Sequence, residues 1–250
     1  MDTSRDLIWT EGIGHELEFW KTWLSTKGGK WPNEYRDRLD PELPLQAYLL
    51  EYIRHLVPRG STLNILDVGA GPLTMLGKVN PDYKIILRAA DALADYYSSL
   101  LKEFHVQPPV PTEKAFVENL TDVYAAGSFD LVHINNALDH SSDPLKGILE
   151  MLSVVKSGHF VVINSFINEG RKAEYIGLHQ WNFDVHENEF IIGNRFGQHI
   201  SITNVLRGLA EIRIASHLEN DWVSVVLKKL VSNETDIANV TGMAIRSTHV

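Results

Sequence analysis

The chain of 250 residues contains no cysteine, which excludes disulfides, thiolate nucleophiles and cysteine-ligated zinc. It also lacks any apolar stretch approaching the roughly 20 residues of a bilayer-spanning helix. Its first residues, Met1-Asp2-Thr3-Ser4-Arg5-Asp6, show no basic region followed by an apolar core. A soluble, cytoplasmic protein with no membrane partner is the expectation. Basic charge is short as well: 23 lysines and arginines stand against 32 acids, a formal net charge of −9, and the basic residues are scattered. Duplex nucleic acid needs a clustered basic footprint to neutralise its phosphates, so nucleic acid is not an expected partner. The length suits one α/β domain with a full core plus an extension.

What is present centres on Asn64-Ile65-Leu66-Asp67-Val68-Gly69-Ala70-Gly71-Pro72. Leu63, Ile65, Leu66 and Val68 form a short apolar run suited to a strand covered on both faces, and Gly69 and Gly71 then let the backbone approach a ligand. A helix is expected to follow. The run from Tyr83 to Asp91 reads as a second strand ending on an acid. In a βαβ unit, an acid roughly 20 residues past the glycine turn accepts hydrogen bonds from ribose hydroxyls. The plainer role for Asp91 is to cap a helix from Ala92 to Phe104.

Asp67, Gly69 and Gly71 match the first motif of the class I S-adenosylmethionine-dependent methyltransferases, an acid followed by glycines at alternate positions. The third glycine of that pattern is Leu73 here, preceded by Pro72. Phe129-Asp130-Leu131-Val132-His133-Ile134-Asn135-Asn136 reads as the fourth strand. Enzymes of that family carry a similar Phe-Asp-Leu-Val run, then a short loop with a histidine and a proline, as in Ala137 to Pro144. The chain resembles this family from residue 61 to about 165 without a gap in order. The resemblance implies an α/β fold: a doubly wound, mostly parallel seven-stranded sheet with a closing antiparallel hairpin. It also implies S-adenosyl-L-methionine as cofactor.

Other elements complete that pattern. A third strand is expected at Lys114 to Val117, a helix at Leu145 to Val155, a turn at Lys156 to His159 and a fifth strand at Phe160 to Asn164. Leu178 to His186 interrupts the alternation, and Thr203 to Leu209 reads as a helix. Glu211–His217 and Trp222–Lys228, joined by Glu219-Asn220-Asp221, read as the hairpin. Residues 1–57 form a helical extension or lid carrying Trp9, Trp20, Trp23 and Trp31, with a break at Gly28-Gly29 and a helix from Leu45 to Leu56. Residues 58–230 form the methyltransferase domain and residues 231–250 a polar tail.

The resemblance places Gly69, Ala70 and Gly71 around the methionine portion of the cofactor, with Asp67 orienting its amino group or the turn. Asp91 and Ala92 fall at the ribose, Glu118 and Asn119 near the adenine, and Asn135 and Asn136 facing the same crevice. Arg38 is placed either against the cofactor carboxylate or in a surface salt bridge. Methyl transfer from a sulfonium needs alignment and exclusion of water, and a base only where the acceptor carries a proton. For a hydroxyl acceptor the candidate bases are His140, His179 and His186, with Asp139 beside His140 as part of the polar wall. His179-Gln180-Trp181-Asn182 combines donors, acceptors and a flat ring, which suits a sugar-like or heterocyclic acceptor.

No paired histidine or cysteine motif fixes a ligand spacing, so no metal site is expected. Asp139, Asp143, His140 and His179 are the residues that would gather around an ion. The expected activity is methylation of a small-molecule hydroxyl, on a sugar or natural-product intermediate. An N-methyltransferase, which needs no base, and a non-catalytic cofactor-binding partner subunit are the alternatives. A nicotinamide-dependent dehydrogenase is disfavoured by the glycine pattern. Monomer and homodimer both stay open.

Overall fold

A computed structural model describes residues 3–217 and 221–230. Three helices come first: α1 (Thr3–Ser25), α2 (Pro32–Leu39) and α3 (Ala47–Ile53). The turn at Gly28 and Gly29 between α1 and α2 has both glycines at positive φ, 95° and 53°, so the expected break is observed. Then follow β1 (Thr62–Val68), β2 (Lys84–Asp91), α4 (Ala94–Glu103), β3 (Thr112–Lys114), β4 (Phe129–Asn135), α5 (Pro144–Val154) and β5 (Val155–Phe166). The remainder is α6 (Glu169–Lys172), β6 (Trp181–His186), β7 (Glu189–Asn194), β8 (His199–Ser201), α7 (Ile202–Val205), β9 (Ala210–His217) and β10 (Trp222–Lys229).

Seven strands make one sheet in the order β3-β2-β1-β4-β5-β10-β9. The first five are parallel, and β10 runs antiparallel to both β5 and β9. This is the doubly wound order with a closing antiparallel hairpin. Successive residues of the central strands feed opposite faces, as a sheet covered on both sides requires. Leu63, Ile65, Leu131 and Val162 pack with Leu45, Leu49 and Ile53 at α3, whereas Leu66, Val68, Val132 and Ile163 pack with α5 and with Phe183 and Phe190. No helix among the described residues is long and apolar enough to cross a membrane.

Several expectations need correction. No helix follows the glycine turn; Pro72 to Tyr83 is irregular. Its backbone groups are taken by the chain between α2 and α3 in place of each other. Gln46 donates to Met75 O and accepts from Gly77 N, Lys78 N donates to Leu43 O, and Leu45 N donates to Val79 O. A Cβ on Gly77 would lie 2.1 Å from Pro44 O, so this close approach needs glycine. The turn expected at Lys156 to His159 lies inside β5, where the β4–β5 register shifts between Phe129 and Leu131. The helix expected from Thr203 shrinks to α7. The interruption at Leu178 to His186 opens a second sheet, β6-β7-β8, which its short runs had not announced. Glu219, Asn220 and the tail from residue 231 lie outside the described residues.

Candidate active site

The carboxyl ends of β1, β2 and β4 open into a cavity of about 710 Å3. Gly69 and Gly71 turn the chain out of β1 at φ 62° and 65°, a region that side chains disfavour. The turn is also tightly packed. A Cβ on Gly69 would lie 2.4 Å from the Ala137 Cβ, and one on Gly71 would lie 2.6 Å from the Trp20 indole.

Asp91 closes this end. Its Oδ2 accepts from Gly71 N at 3.0 Å and its Oδ1 from Leu93 N at 2.9 Å, so each oxygen keeps a lone pair. Asp91 is not the cap of α4, whose N-cap is Leu93; it faces the crevice and holds the turn ahead of that helix. Burial pushes its pKa up to about 6, against the lowering effect of the Leu93 and Gly71 N–H groups.

Asp67 lies beneath the turn, 2% exposed. Its Oδ1 meets His133 Nδ1 at 2.8 Å and its Oδ2 accepts from Thr74 Oγ1 at 2.5 Å. One oxygen thus ties β1 to its neighbour β4 and the other holds the segment after the turn. Arg38, reaching in from α2, donates through Nη1 to Leu73 O at 2.7 Å and lies 5.6 Å over both the Trp20 and Trp23 rings. Glu34 is its nearest carboxylate at 3.6 Å, and its buried Nε has no partner. Burial lowers its pKa, Glu34 opposing. Arg38 thus pairs with the half-exposed Glu34 of its own helix and also stands on the cavity wall.

Ala70, Ala92, Asn135 and Asn136 also line the cavity. Asn136 adopts φ 49°, and its N–H donates to Asn164 O at 2.8 Å. Glu118 reaches the wall but is committed: its Oε1 accepts from Ser142 N at 2.6 Å, Ser142 Oγ at 2.8 Å and Asp143 N at 3.2 Å, fixing the loop into α5. Asn119 does not join the site. It is exposed and donates to Asp122, because the backbone rotates by one residue in a 3-10 turn (Val117–Asp122) and carries it outward.

At the other end, a short 3-10 turn after β4, Leu138–His140, meets the segment leading into β6. Gln180 N donates to Asp139 O at 3.2 Å and Trp181 Nε1 to Ser141 O at 2.8 Å. These bonds bring Asp139, His140 and His179 together. His179 Nδ1 lies 2.6 Å from Asp139 Oδ2 and 3.1 Å from His140 Nε2. The rings of His140 and His179 meet edge to face at 4.5 Å and both line the cavity, with Asp139 buried behind them. Burial opposes ionisation of both partners. The two histidines outweigh it at Asp139, whose pKa is lowered, and Asp139 outweighs it at His179, whose pKa is raised.

His186 drops out as a base, being 80% exposed at the far end of β6 beside Glu187. Asp143 is also elsewhere: its side chain caps α5, accepting from Lys146 N at 3.0 Å. Sequence reasoning missed Glu16, Tyr97, Phe116 and Phe166 on the cavity wall. Glu16 had a signal, because Trp9, Glu16 and Trp20 stand at i, i+7 and i+11 and so share one face of α1.

No protein-family model matches the chain, and no curated protein matches it in sequence. Solved structures do. The SeMet-substituted CurJ carbon methyltransferase aligns with a TM-score of 0.52 at 14% identity, over 70% of this chain and 50% of that one. This chain thus spans half the length of that protein. A structure of the complex between the Haloferax volcanii Trm112 methyltransferase activator and a methyltransferase aligns with a TM-score of 0.51 at 11% identity, over 84% of this chain and 97% of that one. With the strand order above, these matches show the class I methyltransferase fold.

Proposed function

We propose that the protein is an S-adenosylmethionine-dependent methyltransferase acting on a hydroxyl of a small polar molecule, of the sugar or natural-product-intermediate kind. The observation that carries this reading is the Asp91 carboxylate, bonded to Gly71 N, in a cavity that is also lined by His179, itself paired with Asp139. The residues present fit the cofactor. Asp91 keeps lone pairs for a ribose diol, and Arg38, with its unpartnered Nε, suits a free carboxylate. No cradle of N–H groups for a pyrophosphate is built, since no helix starts after the glycine turn. When bound, S-adenosylmethionine supplies an electrophilic methyl group on a sulfonium.

The chain's own residues supply the rest. Trp20 and Phe116 give the cavity apolar wall, and the loop after β4 holds the proposed acceptor side. A hydroxyl acceptor must lose its proton as it attacks, and that falls to the cluster centred on His179, which Asp139 orients. Small polar acceptors fit the wall of His15, Glu16, His140 and His179. Calorimetric titration with S-adenosylmethionine tests the first half: one site is expected, with no binding of a nicotinamide dinucleotide. Formation of S-adenosylhomocysteine across a panel of hydroxylated and amino acceptors tests the second. Binding without turnover on every acceptor would instead favour the non-catalytic subunit.

A further inference from the structure

Three ligand-type atoms on the acceptor wall converge more closely than one proton can satisfy. Asp139 Oδ2, His179 Nδ1 and His140 Nε2 are separated by 2.6, 3.1 and 3.7 Å. An imidazole nitrogen offers one in-plane valence, either an N–H or a lone pair. His179 Nδ1 nevertheless faces two partners within hydrogen-bond distance. Once its proton goes to Asp139 Oδ2, nothing is left for His140 Nε2: an N–H there finds no lone pair, and a lone pair finds no second proton. Asp139, 0% exposed, adds a second unmet demand, because its buried Oδ1 meets no hydrogen-bond donor from another residue. Desolvated carboxylate oxygens of this kind are held by cations or donors.

Resting on the reading that this wall receives the acceptor, we propose that Asp139, His140 and His179 are the protein ligands of a divalent first-row transition cation. Metal–nitrogen and metal–oxygen bonds of about 2.0–2.2 Å set ligand atoms roughly 3.0–3.4 Å apart, and the three observed separations bracket that spacing. His140 and His179 line the cavity while Asp139 lies behind, so the remaining coordination positions face the cavity, as in catalytic sites with an open position. Two imidazoles and one carboxylate suit zinc, manganese or iron(II); calcium and magnesium favour all-oxygen sets, and copper(I) favours sulfur. Glu16 Oε2 lies 3.9 Å from His140 Nδ1, beyond hydrogen-bond distance, and would have to close in to orient a ligating ring.

Coordination through Nδ1 moves the His179 proton to Nε2, so both rings bind as neutral imidazoles. The cation would acidify an acceptor hydroxyl at an open position, and in place of transfer to the His179 ring the proton would leave to water. The hydroxyl oxygen would then take the methyl of a bound S-adenosylmethionine: the carbon–oxygen bond would form, the carbon–sulfur bond would break, and the electron pair would stay on sulfur.

The test uses the tag-free full chain, stripped with a chelator and titrated with Zn2+, and separately with Co2+ followed by visible absorption. One equivalent should bind with a ligand-field spectrum of low coordination number, and Asp139→Asn, His140→Gln and His179→Gln should each weaken it by about 100-fold or more. Failure of the wild-type chain to bind one equivalent at about 100 µM metal, or equal binding by the three variants, would overturn the site. Should Asp139→Asn melt early, the two histidine variants on the cavity wall decide. S-adenosylhomocysteine titration of the same samples separates the readings. Cofactor binding without cation binding overturns the metal site alone, and cation binding without cofactor binding overturns methyl transfer alone.

Discussion

The two ends of the cavity are built by different means. At the end proposed for the cofactor, Gly71 follows β1 and Asp91 ends β2, strands that pair residue for residue, Val68 opposite Ala90 and Asp67 opposite Ala89. Parallel register inside a buried sheet therefore sets their distance before any side chain packs. At the end proposed for the acceptor, His140 and His179 are joined by no strand register. Their meeting depends on docking the β6-β7-β8 insertion against the loop after β4, through two hydrogen bonds from Gln180 and Trp181. One end is thus set by strand register, and the other by an insertion that is docked on the loop after β4 and anchored through Phe183 and Phe190 in the core beneath the sheet. Changes at either end should separate cleanly in measurement.

The largest expected effect lies at the acceptor end. His179→Gln should lower turnover by about 10²- to 10⁴-fold, the range for losing a positioned proton-transfer group or its equivalent, with cofactor affinity unchanged within about twofold. Single-turnover rates beside calorimetry decide this, and a parallel loss of cofactor affinity would break the separation. Asp91→Ala should do the reverse. Loss of charge-assisted hydrogen bonds to the diol, each worth about 1.5–3 kcal/mol, should weaken S-adenosylmethionine binding by about 100-fold.

Proton linkage sharpens the contrast at the same carboxylate. Burial raises Asp91 to about 6, Leu93 and Gly71 N–H groups and His140 oppose it, and Glu16 adds to it. A diol donates to the ionised form, so binding selects the carboxylate and lowers its pKa in the complex. Affinity should be level above about pH 7 and fall toward tenfold per unit as pH drops below about 6. Calorimetry across that range checks it, with Asp91→Asn expected to give a flat profile. Tighter binding at low pH would mean that the neutral acid is the binding form.

How much of this was legible follows the same division. β1, the glycine turn, Asp91, β4 and the closing hairpin announce themselves through short apolar runs and turn residues, because local pattern and burial agree there. The segment after Gly71 misled, since Pro72, Thr74 and Gly77 permit a helix start but tertiary hydrogen bonds to Gln46 and Leu43 take the backbone groups first. Asn119 was misplaced by a single residue, which is enough to turn a side chain from cavity to solvent. His140 and His179 were visible as types but not as neighbours. Contacts 39 residues apart, made by a docked insertion, leave no periodic trace. Glu16 and Arg38 reach the cavity from helices outside the sheet, where amphipathic pattern gives the face but not the distance.

The docking bonds themselves give the smallest prediction and the most discriminating one. Trp181→Phe keeps most of the ring's apolar area but removes the Nε1–H that donates to Ser141 O at 2.8 Å. The net loss in global stability should be about 1 kcal/mol, a shift of a few degrees in the melting midpoint. Its consequence for the site should be one-sided. With the loop after β4 less firmly held, the His140–His179 separation broadens and turnover falls by roughly tenfold, whereas the Gly71–Asp91 bond, fixed by β1–β2 register, leaves cofactor affinity untouched. Amide hydrogen exchange should show faster opening around Ser141 and Gln180 with protection unchanged in β1 and β2. Equal loosening of both ends would mean that the insertion supports the whole cavity, and the division between a core-built end and a docked end would fall.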